Sequence, residues 1–223
     1  MLKLLKPSEL KRLVDIQQYT LPGATVLARG TFSVVYDNHD GTVTKFTIDE
    51  ASYYWLTAAR YGMDKLSEDN PFRLPNIVDH GEVGGMRLPL SKNPFGHTIY
   101  AVSMPKCDKL VMKGLGTDLT KQIRWLKRTL KEANQLSARD EHKAKIHMSL
   151  HAERALDVTN SEDYYELAQA LWYMVGDYDA LPDTLHQGNI MSYDGHPVIL
   201  DPVFDTELMK LTRKIRNSSV PLY

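Results

Sequence analysis

The sequence predicts an α+β protein in two parts, rich in strands over 1–104 and in helices over 105–223. Three patterns carry that expectation. Thr25 to Ile48 holds three short β-branched segments separated by turn residues, and His97 to Met104 is a further strand-like run. Beyond Asp118 the apolar residues recur at helical spacing, first in Ile123, Leu126 and Leu130, then in Tyr164, Leu167, Leu171 and Val175. Near the end, Asp194-Gly195 separates two short apolar segments, a pairing that two-residue hairpin loops favour.

The 223 residues allow one large domain or two small lobes, and an apolar content of 43% is enough for a core. A net charge of −1 gives no global pull toward nucleic acid or a membrane surface. The single cysteine, Cys107, excludes an internal disulfide and points to a reducing, cytoplasmic compartment. The opening Met1-Leu2-Lys3-Leu4-Leu5-Lys6-Pro7 has too short an apolar run for a signal peptide. No apolar run reaches the roughly 18 residues of a membrane span. Charge is nevertheless uneven. Lys106 to Ala133 holds eight Lys/Arg against three Asp/Glu, whereas Ala155 to Met209 holds eleven Asp/Glu and no Lys or Arg. An acidic stretch of that length asks for a compensating cation, and a bound metal is one candidate.

Taken in order, Pro7 to Gln18 reads as a helix capped by Ser8 and closed by Pro22-Gly23. Two strands follow, Thr25 to Gly30 and Thr31 to Tyr36, joined through the small-residue loop Gly30-Thr31-Phe32-Ser33. After the turn Asp37 to Gly41, a third strand carries Lys45. A small-residue loop and a strand lysine are a way to cover a triphosphate, the loop backbone approaching the phosphates and the ammonium neutralising them. A plain β-meander with a lysine has the same pattern. Asp49 to Arg60 reads as a short helix with Glu50 in its first turn, either as an acid suited to the helix dipole or as an ion-pair partner for Lys45.

Asn70 to Asp79 is loop-like, and His80 to Leu90 reads as an irregular hairpin. A long helix runs from Asp118 to about Leu136 with Lys121, Arg124, Lys127, Arg128 and Lys131 interleaved, either a solvated face or a docking surface for an acidic partner. His142, His147 and His151 follow without a third ligand in zinc-site spacing. Ser161 caps a core helix that Gly176 ends, and Glu207 to Arg216 is a short basic helix.

The hairpin at Asp194-Gly195 organises the rest. It brings Asn189, before its first segment, toward Asp201, after its second. An amide oxygen and a carboxylate at one end suit a hard cation such as magnesium. An Asx turn beside a strand-capping aspartate uses the same two residues.

The order of these parts resembles the protein-kinase-like fold. Ala28 to Val35 resembles the glycine-rich loop G-x-G-x-F-G-x-V, and Val43-Thr44-Lys45 resembles the V-A-I-K lysine strand. Met104 to Leu110 resembles the adenine-binding hinge, His186 to Met191 resembles an H-x-G-N-I catalytic loop, and Asp201-Pro202-Val203 takes the place of D-F-G. Within that superfamily the sequence is similar to the early-gene serine/threonine protein kinases of short-tailed coliphages, with Phe32 to Tyr36, His186 to Met191 and Leu200 to Val203 matching in order.

The resemblance implies a minimal two-lobed kinase-like fold, with a β-rich N-lobe over 1–104 and a truncated helical C-lobe over 105–223. It implies ATP and Mg2+ as cofactors. Gly30, Thr31, Phe32, Ser33, Lys45, Glu50 and Met104 would bind the nucleotide. Asn189 and Asp201 would bind the metal, and Asp183, Lys45 and His186 would be catalytic. The targets implied are host bacterial proteins of transcription or RNA processing, met in the host cytoplasm. One residue departs from the pattern. The family's catalytic aspartate lies five residues before the asparagine, where this chain has Thr184, and the aspartate stands one residue earlier at Asp183. That leaves two alternatives beside an active kinase. One is a pseudokinase that binds and inhibits a host protein. The other is a small-molecule kinase of the aminoglycoside or fructosamine type, which also uses an H-x-G-N loop.

Overall fold

The computed structural model describes residues 3–57, 65–74, 76–177, 180–184 and 188–218. Among them are the helices α1 (Pro7–Leu13), α2 (Glu50–Thr57), α3 (Thr117–Ser137), α4 (Glu141–Thr159), α5 (Glu162–Asp177) and α6 (Thr206–Asn217). The strands are β1 (Thr25–Arg29), β2 (Ser33–Asp37), β3 (Thr42–Thr47), β4 (Val78–Met86), β5 (His97–Pro105), β6 (Asp108–Lys109), β7 (Ala180–Pro182), β8 (Ile190–Tyr193), β9 (His196–Ile199) and β10 (Val203–Asp205). The fold is mixed α+β. Among the described residues no helix is long and apolar enough to cross a membrane.

Contacts gather the chain into two units. The first is built from Met1–Tyr53, Asn76–Lys106 and Asp205–Tyr223, the second from Tyr54–Pro75 and Cys107–Phe204. Where the sequence places one boundary at 104/105, the chain therefore changes unit at 53/54, 75/76, 106/107 and 204/205.

The first unit is a five-stranded antiparallel sheet in the order β1-β2-β3-β5-β4. Its core gathers Val34, Tyr36 and Phe46 from the sheet with Leu5 and Leu10 near the N-terminus, and α6 adds Leu208, Leu211 and Ile215. Two expectations fail here. The first helix starts on Pro7, whose fixed φ suits the first helical position, so its N-cap is Lys6 and Ser8 lies inside the helix without capping it. The helix stops at Leu13 because Val14 turns extended, φ −135°, and is buried in the core, and only a 3₁₀ turn at Ile16–Gln18 follows. The glycine-rich run at 81–85 makes no hairpin. It lies within β4, where the pairing with β5 shifts register between Asp79 and Gly81 and again between Glu82 and Gly84. The glycines there serve bulges and close packing rather than a chain reversal. A Cβ on Gly84 would lie 3.0 Å from Val14 Cγ2 and 3.1 Å from the Leu13 carbonyl.

In the second unit α3 packs on α4 and α4 on α5. Ser161 caps α5, its Oγ accepting from Tyr164 N at 3.2 Å. α4 has no clear signal in the sequence. Its buried stripe is Ala144, Met148, Ala152 and Ala155, while Ile146, Leu150 and Val158 are exposed, so the hydrophobic period is nearly erased. The hairpin is present as expected. β8 and β9 pair from Ile190↔Ile199 to Tyr193↔His196, and Asp194 (φ 49°) and Gly195 (φ 80°) form the loop. Positive φ at both loop residues is the type I′ turn that matches strand twist.

His151 sits in the core of this unit. Its Nδ1 is hydrogen-bonded to Thr129 Oγ1 at 3.0 Å and its Nε2 to Tyr164 Oη at 3.1 Å, and its ring lies 4.4 Å from that of Trp125. Burial lowers its pKa to about 4. Above pH 6.5 the ring is neutral in both folded and unfolded chain. As pH falls from 6.5 toward 4, the unfolded chain takes up the proton first, so this site loses stability by up to about 3 kcal/mol. Urea unfolding of the wild type against His151→Gln should show the stability gap narrowing over that window, and a constant gap would contradict the assignment.

Candidate functional site

The expected site residues fall into two sets, one in each unit. In the first unit, the bulge between Val26 and Ala28 in β1 and the turn into β2 shape the small-residue loop. Gly30 N donates to the Ser33 carbonyl at 2.8 Å, and a Cβ on Gly30 would lie only 2.8 Å from Ser33 Oγ. The loop is held from outside as well. Leu4 N donates to the Thr31 carbonyl at 2.8 Å, and Ile48 N to the Phe32 carbonyl at 3.0 Å. The Phe32 side chain belongs to the hydrophobic core, which leaves Gly30, Thr31 and Ser33 as the partly exposed small residues of the loop.

Lys45 is central in β3, opposite Val35 on β2 and Val102 on β5, and is buried. Its Nζ donates to Ser52 Oγ at 2.6 Å. Ser52 is placed by the start of α2. Its backbone N donates to Asp49 Oδ1 at 3.2 Å, the bond of an aspartate N-cap, and Asp49 N donates to Thr47 Oγ1 at 3.0 Å. The same Asp49 oxygen accepts from Asp205 N at 3.0 Å. Glu50 is exposed, and its Oε1 accepts from Tyr100 Oη at 3.0 Å. Tyr100 in turn stacks on Tyr53 at 4.2 Å. Met104 is buried in β5, opposite Val43. Just beyond it, Lys106 Nζ donates to Asp37 Oδ2 at 2.6 Å, and that hydrogen bond first, with one from the His39 backbone, holds the Asp37 carboxyl below the usual carboxylate range.

Ser52 was not singled out from the sequence. Its one sequence signal is its place three residues after Asp49, in a helix-capping pattern.

The second set is assembled by short backbone ties. β7 pairs with β10, and Asp183 N donates to the Pro202 carbonyl at 2.8 Å. Asn134 on α3 braces this strand end, its Nδ2 donating to the Pro182 carbonyl at 2.8 Å. Asn189 is buried just before β8, and its Nδ2 donates to Asp183 Oδ2 and to the Thr184 carbonyl, both at 3.1 Å. Its own carbonyl accepts from Leu200 N at 2.8 Å and Asp201 N at 3.4 Å. The other Asp183 oxygen, Oδ1, accepts from Thr184 N at 2.7 Å. Asp183, Asn189 and Asp201 are thus brought together, and the aspartate displaced by one residue still sets its carboxylate against the asparagine. His186 lies outside the described residues.

The donor set fits magnesium. Asn189 Oδ1 and the Asp201 carboxylate are oxygen donors, and the nitrogen of the amide is held on Asp183 and Thr184, which orients its oxygen away from them. Among the described residues no group of three or more His, Cys, Asp or Glu side chains is gathered as a metal site. Magnesium needs only one or two such ligands when phosphates and waters complete its shell.

No protein-family model and no curated protein sequence matches the chain.

The Lys45–Ser52 contact yields a measurable expectation. Ser52→Ala removes a buried hydrogen bond to an ammonium group, so unfolding in denaturant should show a loss of roughly 1.5–3 kcal/mol. A loss within a few tenths would mean that Ser52 does not hold the lysine.

Proposed function

We propose that the chain is an ATP-dependent serine/threonine protein kinase of the bacteriophage type, acting on host bacterial proteins in the host cytoplasm. The observation that carries the reading is the meeting of Asp183 and Asn189 side chains at 3.1 Å, with Asp201 one backbone hydrogen bond away. A base, an amide oxygen and a carboxylate at one point are what phosphoryl transfer asks of its acceptor and metal side. The reading includes the minimal kinase-like fold, in which the five-stranded sheet with Lys45 serves the nucleotide and the helical unit serves metal and acceptor.

In this reading Asp183 accepts the proton of a serine or threonine hydroxyl as that oxygen bonds to the terminal phosphorus and the bond to the ADP oxygen breaks. Asn189 keeps the Asp183 carboxylate in place. Lys45, whose Nζ rests on Ser52, is a point charge for phosphate oxygens, and the Gly30-Thr31 backbone lies against the same phosphates. Glu50 would orient Lys45, Met104 would border the adenine, and His186 completes the catalytic set of this reading. Bound Mg2+ on Asn189 and Asp201 would neutralise charge on the phosphates. Catalysis is then mostly positioning and charge neutralisation.

One observation favours a second reading, a pseudokinase that binds a host protein without transfer. Both oxygens of Asp183 already accept hydrogen bonds, from Asn189 and from Thr184 N. Radiolabelled ATP separates the two. The kinase reading expects autophosphorylation or transfer to bacterial lysate proteins, whereas nucleotide binding with no transfer selects the pseudokinase.

Asp201→Asn should abolish transfer while the protein stays folded by circular dichroism, and retained wild-type transfer would remove the metal role. Asp183→Asn should lower kcat by roughly 10²–10⁴, with Thr184→Ala close to wild type. The reverse pattern would make Thr184, not Asp183, the residue that faces the acceptor.

A further inference from the structure

α3 carries a cationic stripe that neither the fold nor the proposed chemistry uses. Lys121, Arg124, Arg128 and Lys131 are all exposed. At 3.6 residues per turn they fall within an arc of about 80°, and at 1.5 Å per residue they span about 15 Å. The opposite face of the helix is fully buried through Ile123, Leu126, Leu130 and Ala133, so the stripe is carried on an anchored rod.

Its charges are poorly compensated locally. Asp118 lies 3.8 Å from Lys121, and Glu132 faces His147 on α4 at 3.6 Å. Among the described residues no acid comes within ion-pair distance of Arg124, Lys127, Arg128 or Lys131. Like charges four apart, as in Arg124 and Arg128, weaken a helix slightly, so the arrangement has a small cost without a partner.

We propose that this face of α3 is a docking surface for an acidic segment of a partner protein. Planar guanidinium groups take carboxylates in bidentate fashion, and carboxylates every three to four residues of a partner helix would meet Arg124 and Arg128 in register. Two observations favour a polypeptide over a nucleic acid. Four exposed cations fall short of the roughly six to ten phosphate contacts of a nucleic-acid footprint. The only aromatic of α3, Trp125, is partly buried, its ring tilted against His151 at 4.4 Å and stacked on Tyr164 at 5.3 Å, so its faces are engaged within the unit rather than offered to a base.

The test uses a fluorescein-labelled polyglutamate peptide of about a dozen residues and polyuridine RNA of equal length, read by fluorescence anisotropy. The full chain should bind the peptide more tightly than the RNA, and added salt should weaken the binding. Arg124→Glu/Arg128→Glu/Lys131→Glu should lose at least about tenfold in affinity, and the corresponding triple alanine variant, which is less disturbing to folding, should lose in the same direction. Asp201→Asn should bind the peptide unchanged, which separates this surface from the phosphotransfer reading. RNA binding as tight as peptide binding, no peptide binding by the wild type, or full peptide binding by both triple variants would each overturn the proposal.

Discussion

Asn189 is the residue on which the second unit's candidate site depends. One buried side chain donates to Asp183 and to the Thr184 carbonyl, and its backbone carbonyl takes Leu200 N and Asp201 N. A chain segment before the hairpin and another after it are thereby fastened to a single residue. A buried amide committed on both sides has little freedom, because leaving any of these groups unpaired costs roughly 1–3 kcal/mol. The Asp183 carboxylate is therefore tied to a side chain that has little freedom of its own.

The first unit solves a different problem. Lys45 is an ammonium group inside an apolar sheet, and its desolvation must be offset by polar contacts. Ser52 provides one, and the Asp49 cap places Ser52 by fixing the first turn of α2. Asp49 also receives Asp205 N, so one buried carboxylate serves the start of α2 and the approach to α6. Local capping and the support of the lysine are the same set of atoms seen from two sides.

What could be read in the sequence was whatever local chemistry decides. Asp194-Gly195 dictated its own turn, Ser161 its own cap, and the basic helix its own periodicity. The failures lie where a distant partner decides. Gly81, Gly84 and Gly85 are compatible with a turn or with bulges, and only pairing with β5 selects the bulges. Val14 has nothing local to stop a helix, and the core that receives it comes from elsewhere in the chain. α4 hid because alanines, not large apolar residues, face inward. The meeting of Asp183, Asn189 and Asp201 was legible because they lie within one hairpin and its flanks. Ser52 was not, because a serine becomes a lysine's partner only through the geometry of a sheet against a helix.

The return of α6 to the first unit bears on how the protein is made. Leu208, Leu211 and Ile215 complete a core whose other members come from the first 53 residues and from 76–106. A ribosome releases all of the second unit before it releases α6. The sheet with Lys45 must therefore wait, with the places of Leu208, Leu211 and Ile215 unfilled, through the synthesis of roughly a hundred intervening residues, a delay of about 5–20 s at about 5–20 residues per second. The helical unit is free to fold in that interval, and the sheet made before it is completed only after it.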